Sequence, residues 1–211
     1  MKSKTVQEPI QSLAKFIPDG TFEMVAPYFS KHKIHLTLKQ ERKRVFGDYR
    51  NPIPSQPYHR ISINGNLNTY SFLVTLLHEL AHLETYVQHK HTVASHGKEW
   101  KNNFKDILLP FLQQHIFPQD IKNALISYIN NIKASTCGDV NLYKALHQFD
   151  KKPMHVFIDA LPENTKFQTD DGQVFIKLGK RRTRFTCQNL QTKRLYTFPP
   201  IAQVIPLIEN D

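Results

Sequence analysis

The chain has little cysteine, little glycine, one tryptophan and no long apolar run. Two cysteines in 211 residues, Cys137 and Cys187, cannot form a disulfide framework, which points to a reducing, cytoplasmic compartment. They also stand in no C-x-x-C pair, so a four-cysteine zinc ribbon is excluded. Seven glycines rule out a collagen-like or glycine-rich linker composition. No apolar stretch approaches the roughly 18 residues of a membrane span, and MKSKTVQEPIQSLAKF lacks the apolar core of a secretory leader, so neither membrane nor export is expected. Acidic residues are also in deficit. The 18 Asp and Glu face 28 Lys and Arg, for a net charge of +10.

What is present is ordinary for a globular protein: 40% hydrophobic and 22% charged residues, without repeats or low-complexity tracts. The length suits one domain with a sizeable core, or two small ones. Val6–Phe29 reads as one or two helices broken at Pro18-Asp19-Gly20. Lys33–Ile63 is strand-rich, because Ile34, Leu36 and Leu38 alternate with polar residues. A proline-rich loop, Asn51–Pro57, precedes a strand at Tyr58–Ile63. Asn66–Phe149 is mostly helical, with helix starts at Pro118-Gln119-Asp120 and at Asp139. From Met154 onward the pattern turns to β, with strands expected at Met154–Asp159, Gln173–Leu178, Thr183–Gln188 and Arg194–Phe198, and a turn at Asp170-Asp171-Gly172. The boundary falls near Asp150-Lys151-Lys152-Pro153. The expected fold is therefore α+β over residues 1–150, followed by a small basic all-β module over 151–211.

The most informative stretch is His78-Glu79-Leu80-Ala81-His82. Among 11 histidines, an H-E-x-x-H arises by chance roughly 0.02 times in a chain of this composition. The surrounding Leu67, Phe72, Leu73, Leu76, Leu77, Leu80, Ala81 and Leu83 have helical spacing. On a helix His78 and His82 share one face and can both hold a zinc ion, while Glu79 follows beside the site of an attacking water. A third protein ligand leaves one position open, as catalysis requires. Thr85 and Gln88 stand where a metzincin has Gly and His, so that class is excluded. His96 is the preferred third ligand, near the N-cap of a second amphipathic helix carrying Trp100, Phe104, Ile107, Leu108, Phe111 and Leu112, which Pro110 is expected to kink or end. Glu99, His89 and His91 stay open as alternatives.

Thr75–His82 (TLLHELAH) and His96–Lys101 (HGKEWK), with Arg44–Arg50 and Ile61–Asn64 upstream, resemble the SprT-like, or Spartan-type, metalloprotease domain over roughly Phe22 to Leu112. The resemblance implies a zincin-like α+β fold, zinc on His78, His82 and His96, and Glu79 as the catalytic glutamate. It also implies a zinc-dependent peptidase, whose best-known relatives degrade proteins crosslinked to DNA. The four-cysteine zinc ribbon of many members is missing, so that ribbon's part in DNA engagement does not carry over.

The reaction expected from these residues is metal-assisted peptide hydrolysis. Glu79 takes a proton from water and passes it to the leaving amine. Strand Tyr58–Ile63 would pair with an extended substrate, and Tyr86 and Arg60 are candidates to stabilise the oxyanion. Beside the polypeptide substrate, the charge suggests a nucleic-acid partner. Lys177, Lys180, Arg181, Arg182, Arg184, Lys193 and Arg194 lie in a stretch without acids, interleaved with Phe185, Tyr196 and Phe198, where aromatics stack bases and cations track phosphates. The alternative there is a β-barrel with aromatics inside and charges outside. A second basic cluster is Lys31, Lys33, Lys39, Arg42, Lys43, Arg44 and Arg50. Two other functions fit the motif: a nucleic-acid-binding protein with a structural zinc, which needs four protein ligands and no adjacent carboxylate, and a zinc hydrolase of a small molecule, which needs a closed pocket.

Overall fold

The structure is a computed structural model that describes residues 10–42, 45–130, 132, 139–150 and 155–207. Lys43, Arg44, Cys137, Met154 and the boundary residues Lys151, Lys152 and Pro153 lie outside the described residues. The chain separates into two compact units, Met1–Asp150 and Lys151–Asp211.

Unit one is α+β. A 3-10 turn, Ile10–Lys15, precedes α1, Phe22–Lys31. Then come β1, Ile34–Lys39, β2, Gly47–Arg50, and β3, His59–Asn64. Four helices follow: α2, Thr69–His89, α3, Lys98–Gln113, α4, Gln119–Asn130, and α5, Val140–His147. The sheet runs β1-β3-β2, with β3 parallel to β1 and antiparallel to β2. Both edges of β3 are thus bonded, so it cannot accept a substrate strand as expected. Among the described residues, the free edges are those of β1 and β2.

α2 lies at the centre of this unit. Asn68 caps it, accepting a hydrogen bond from the Ser71 N–H at 2.9 Å. The Asn68 amide also donates to the Leu146 carbonyl and to Asp150, which ties the α2 start to the end of α5. Thirteen of the 21 residues of α2 are buried, so it is covered on most of its circumference and packs against β2, β3, α3 and α5. Its buried acid Glu84 receives Lys31 Nζ at 3.0 Å and lies 2.9 Å from His32 Nε2, anchoring the end of α1. Burial alone would raise the Glu84 pKa, but these hydrogen bonds outweigh it and hold the carboxyl below its ordinary value.

α3 is capped by Gly97, which leaves His96 next to the N-cap as expected. One helix boundary differs from expectation. Pro110 does not end α3, which continues to Gln113. The proline removes one hydrogen bond near the helix end, and its ring is exposed, while Phe111 and Leu112 beyond it remain buried.

Unit two is a six-stranded antiparallel sheet over a small core of Ile158, Leu161, Phe167, Phe175, Phe185, Cys187 and Val204. Its strands are β4, Val156–Phe157, β5, Lys166–Gln168, β6, Val174–Arg181, β7, Arg184–Asn189, β8, Leu195–Phe198, and β9, Gln203–Pro206, in the order β4-β9-β5-β6-β7-β8. The expected first strand is reduced to two described residues, because the chain turns into a 3-10 helix at Ile158–Ala160. β5 and β9 were not expected, and the Asp170-Asp171-Gly172 turn joins β5 to β6. Gly172 has φ +82°, the left-handed position that glycine adopts without steric cost.

Candidate metal centre

The helical spacing of α2 brings His78 and His82 onto one face, and the chain returns to that face through the loop before α3. α2 ends at His89: its C-cap Lys90 still donates from its N–H to the Tyr86 carbonyl, and its φ of 52° turns the chain out of the helix. Gly97 then sits tightly in the loop, where a Cβ would lie 3.1 Å from the Ala94 carbonyl oxygen. The packing of α3 fixes the return. Asn103 Nδ2 donates to Thr85 Oγ1 at 3.0 Å and to Gln88 Oε1 at 3.1 Å, both on α2. Trp100 is fully buried, with its ring centroid 4.6 Å from those of His78 and His96 and 5.2 Å from that of His82. One indole therefore backs all three imidazoles.

The nitrogens converge. His78 Nε2 lies 3.3 Å from His82 Nε2 and 3.3 Å from His96 Nε2. The three residues are the only group of metal-binding side chains among the described residues, with their ligand atoms all within 4.8 Å of one another. Glu99, His89 and His91 are not part of it. His91 instead packs edge-on to Tyr86, ring centroids 5.2 Å apart.

These residues fit a metal ion. Two nitrogens held at about 2.05 Å by one tetrahedral ion stand about 3.3 Å apart, the spacing found here. Burial first, and then the neighbouring rings, pushes the His78 pKa down to about 3; burial and His96 push His82 to about 4. His96 is lowered too, chiefly by burial and then by Lys101. At neutral pH all three rings are uncharged and present lone pairs. An all-imidazole set with no carboxylate is of the kind that zinc, copper, iron and nickel take.

The chain's sequence around this centre has a counterpart among known proteins. The model of the SprT-like family matches residues 11–116, half of the chain. The chain belongs to the SprT-like family. No curated protein and no solved structure matches it. The family match spans the sheet, α2 and α3 of this SprT-like chain and ends before α4, leaving unit two outside.

Glu79 leaves α2 in a different direction from His78 and His82. Its side chain is 5% exposed and lies against Gly47 of β2 and Thr75 one turn earlier. Burial, reinforced by Asp48 and opposed by Arg42, pushes its pKa up to about 8. Next along β2, Tyr49 lies with its ring nearly parallel to His82, at 7° and 6.4 Å between centroids. Its hydroxyl is 2.9 Å from His59 Nδ1. Burial, then Tyr86, pushes the phenol well above its ordinary range, and burial lowers His59, so a neutral hydroxyl faces a neutral ring.

Of the two oxyanion candidates, Arg60 is committed elsewhere. It donates to Gln56 Oε1 and to the Asn51 carbonyl, which secures the proline-rich loop. Tyr86 stands one turn beyond His82, under Lys90 Nζ at 4.9 Å from its ring. Tyr49, His59, Trp100 and Gly47 were not singled out from sequence. A glycine inside a strand was the one available sign, since it marks a close backbone approach.

In unit two the basic run is broken up. Lys177 is 3% exposed, donates to the Leu161 carbonyl and sits over the Phe185 ring at 4.2 Å, so it is part of the core. Lys180, Arg181, Arg182 and Arg184 are exposed around the β6–β7 turn, where Arg182 takes φ 56°. Lys193 and Arg194 are exposed at the β7–β8 turn, at the other end of β7. Six residues of strand put the two groups about 17 Å apart. Phe185 is buried and Phe198 packs on Phe167 and Phe175, so neither is open to stack a base; Tyr196 is 41% exposed. Among the described residues, no helix is long and apolar enough to cross a membrane.

Proposed function

We propose that the chain is a zinc-dependent peptidase of zincin-like design, with His78, His82 and His96 holding the metal and Glu79 acting as general base. The observation that carries this reading is the convergence of three neutral imidazole rings, with the His82 and His96 nitrogens each 3.3 Å from that of His78, beside a buried glutamate that is not one of them. Family membership supports it. Zinc bound here supplies a Lewis acid for the scissile carbonyl and for the attacking water.

The remaining work falls to the chain. A Glu79 oxygen accepts the proton of the attacking water and later delivers it to the leaving amine nitrogen. Burial raises the proton affinity of this carboxyl in the metal-free chain, and the positive charge of a bound zinc would lower it again, which would suit a group that takes up and then returns a proton. The Tyr49 hydroxyl, held by His59 beside His82, is placed to donate to a developing oxyanion. An extended polypeptide can add to the free edge of β2, which packs against α2. Three ligands rather than four among the described residues favour catalysis over a structural zinc. The net charge of +10 extends the proposed substrates to polypeptides bound or crosslinked to nucleic acid, with the Lys180–Arg184 turn and the Lys193-Arg194 turn as separate phosphate contacts.

The test is metal analysis together with cleavage of casein and of DNA-bound histone. About one zinc per chain, with cleavage lost on chelation and restored by zinc, supports the reading. A zinc-loaded chain inert on both substrates rejects it.

A further inference from the structure

Backbone, not a side chain, forms the wall against which the Glu79 carboxylate rests. Gly47 opens β2 opposite Ile63. A Cβ on Gly47 would collide with Glu79 Oε1 and would come within 2.6 Å of Thr75 Cγ2 and 2.9 Å of Glu79 Cγ. Gly47 is not among the left-handed residues, so space and not conformational freedom demands the glycine. With Thr75 on the preceding turn and Gly47 across the gap, the carboxylate has one narrow slot.

The wall is itself pinned. The carbonyl of Phe46, the residue before Gly47, accepts from Arg42 Nη2 at 3.2 Å and from the Asn64 N–H at 2.9 Å. Arg42 also donates from Nε to Asn64 Oδ1 at 2.8 Å, from Nη1 to Ser62 Oγ at 3.1 Å and from Nη2 to the Ser62 carbonyl at 3.3 Å. Asn64, 1% exposed, returns a bond from Nδ2 to the Arg42 carbonyl at 3.1 Å. Five of the six bonds bind the β1–β2 connection to the end of β3, and the sixth, from Arg42 to the Phe46 carbonyl, braces that connection itself. Asn64 leads directly into the turn before α2. The strand that confines Glu79 is therefore fixed from the same chain segment that launches the helix bearing it.

We propose that Gly47 and the Arg42–Asn64 clamp are positioning residues, which fix the Glu79 carboxylate in a single orientation relative to the His78–His82–His96 centre. This rests on Glu79 being the proton acceptor. Gly47 acts through the space it leaves beside the Glu79 carboxylate, and Arg42 and Asn64 act through the backbone on either side of it. A general base gains its rate advantage only within hydrogen-bond reach of its proton, and a misplacement of about 1 Å costs on the order of 100-fold in rate.

The experiment uses the full chain loaded with zinc, as Gly47→Ala, Arg42→Ala, Glu79→Asp and the Gly47→Ala/Glu79→Asp pair. Gly47→Ala is expected to keep its zinc and to lose about 100-fold in kcat with KM within about twofold. Arg42→Ala is expected to move kcat in the same direction with zinc retained. In thermal unfolding, Gly47→Ala should lower Tm clearly in the parent chain and much less in the Glu79→Asp background, where the shortened side chain vacates the space the methyl enters. A glycine needed only for the strand would cost the same in both backgrounds. Equal Tm losses, or kcat of Gly47→Ala within twofold of the parent, overturn the proposal. If Gly47→Ala alone does not fold and the pair does, the contact is supported, and Arg42→Ala then carries the kinetic arm. If the parent chain cleaves nothing, the peptidase reading fails while the Tm cycle still reports on the contact.

Discussion

Replacing Glu79 by Gln is expected to make the metal-free protein more stable and the zinc-loaded protein inactive. Glu79 is buried, and its pKa stands at about 8 against 4.5 for the exposed group. A carboxyl raised in the folded state contributes stability that is present below about pH 4.5 and is lost as pH climbs toward 8. The 3.5-unit difference corresponds to at most about 5 kcal/mol, at 1.36 kcal/mol per unit. A third of that, roughly 1.5 kcal/mol, moves the melting temperature of a domain this size by about 3–6 °C. The histidines run the other way. His78 and His82 titrate at about 3 and 4 when folded, so their contribution is present above about pH 6.5 and is lost on acidification. Both proteins keep those histidines, so the difference between their Tm profiles isolates position 79. In chelated protein, the Gln variant should match the parent near pH 4.5, gain steadily through pH 5–8 and then level off. Scanning calorimetry at half-unit steps measures this directly, and peptide cleavage by the zinc-loaded variant supplies the second arm. A Tm difference that does not change between pH 5 and 8.5 would refute the burial argument, and retained cleavage would remove Glu79 from the mechanism.

Alanine at His78, His82 or His96 should each abolish stoichiometric zinc binding in a metal titration, while His91→Ala should not, because His91 packs on Tyr86 away from the triad. Tyr49→Phe should lower kcat by about 10-fold or more with zinc retained if the hydroxyl serves the oxyanion, and an unchanged kcat would assign it to packing. Reversing Arg181, Arg182 and Arg184 to Glu should reduce binding to a DNA oligonucleotide and flatten its salt dependence independently of a Lys193 and Arg194 reversal, since the two groups lie at opposite ends of β7. Binding unchanged in both variants would leave the net charge a matter of solubility. Cys187 is buried, with its thiol pushed up to about 11 mainly by burial, so iodoacetamide at pH 8 should alkylate it only as unit two unfolds. Rapid labelling of Cys187 in the folded chain, located by peptide mapping, would contradict that burial.

The elements legible in the sequence are those whose signal is local and repeated. The alternation Ile34, Leu36, Leu38 gave β1, and the dense apolar spacing through Leu83 gave α2. Asp139 announced α5, where its carboxylate accepts from the Asn141 and Leu142 N–H groups at 3.1 Å. β5 and β9 escaped because three and four residues are too few to show a period, and β9 ends at a proline. Lys177 shows the opposite error. A lysine counts as surface charge by composition, yet it occupies the inward position two residues after buried Phe175, with its ammonium satisfied by a carbonyl and a ring. The basic run looked continuous because it is continuous along the chain. A meander reverses direction at each turn, so neighbours in sequence on either side of β7 end up at opposite ends of the sheet.

The candidate site divides along the same line. His78 and His82 follow from four residues of helix, and His96 was reachable only because a motif attached it to the start of α3. Nothing local connects Arg42 or Gly47 to Glu79, because their meeting depends on β2 pairing with β3 and both packing on α2. The order of the sheet settles a further point that sequence got wrong. The strand nearest the helix in the chain, β3, was taken as the substrate-facing one, but β2 encloses it on one side and β1 on the other. One of the two edges open to a polypeptide is therefore the strand whose first residue confines the proposed general base. A substrate paired to β2 would meet Glu79 at a fixed register, so that binding along the strand and placement of the proton acceptor are set by one short piece of backbone.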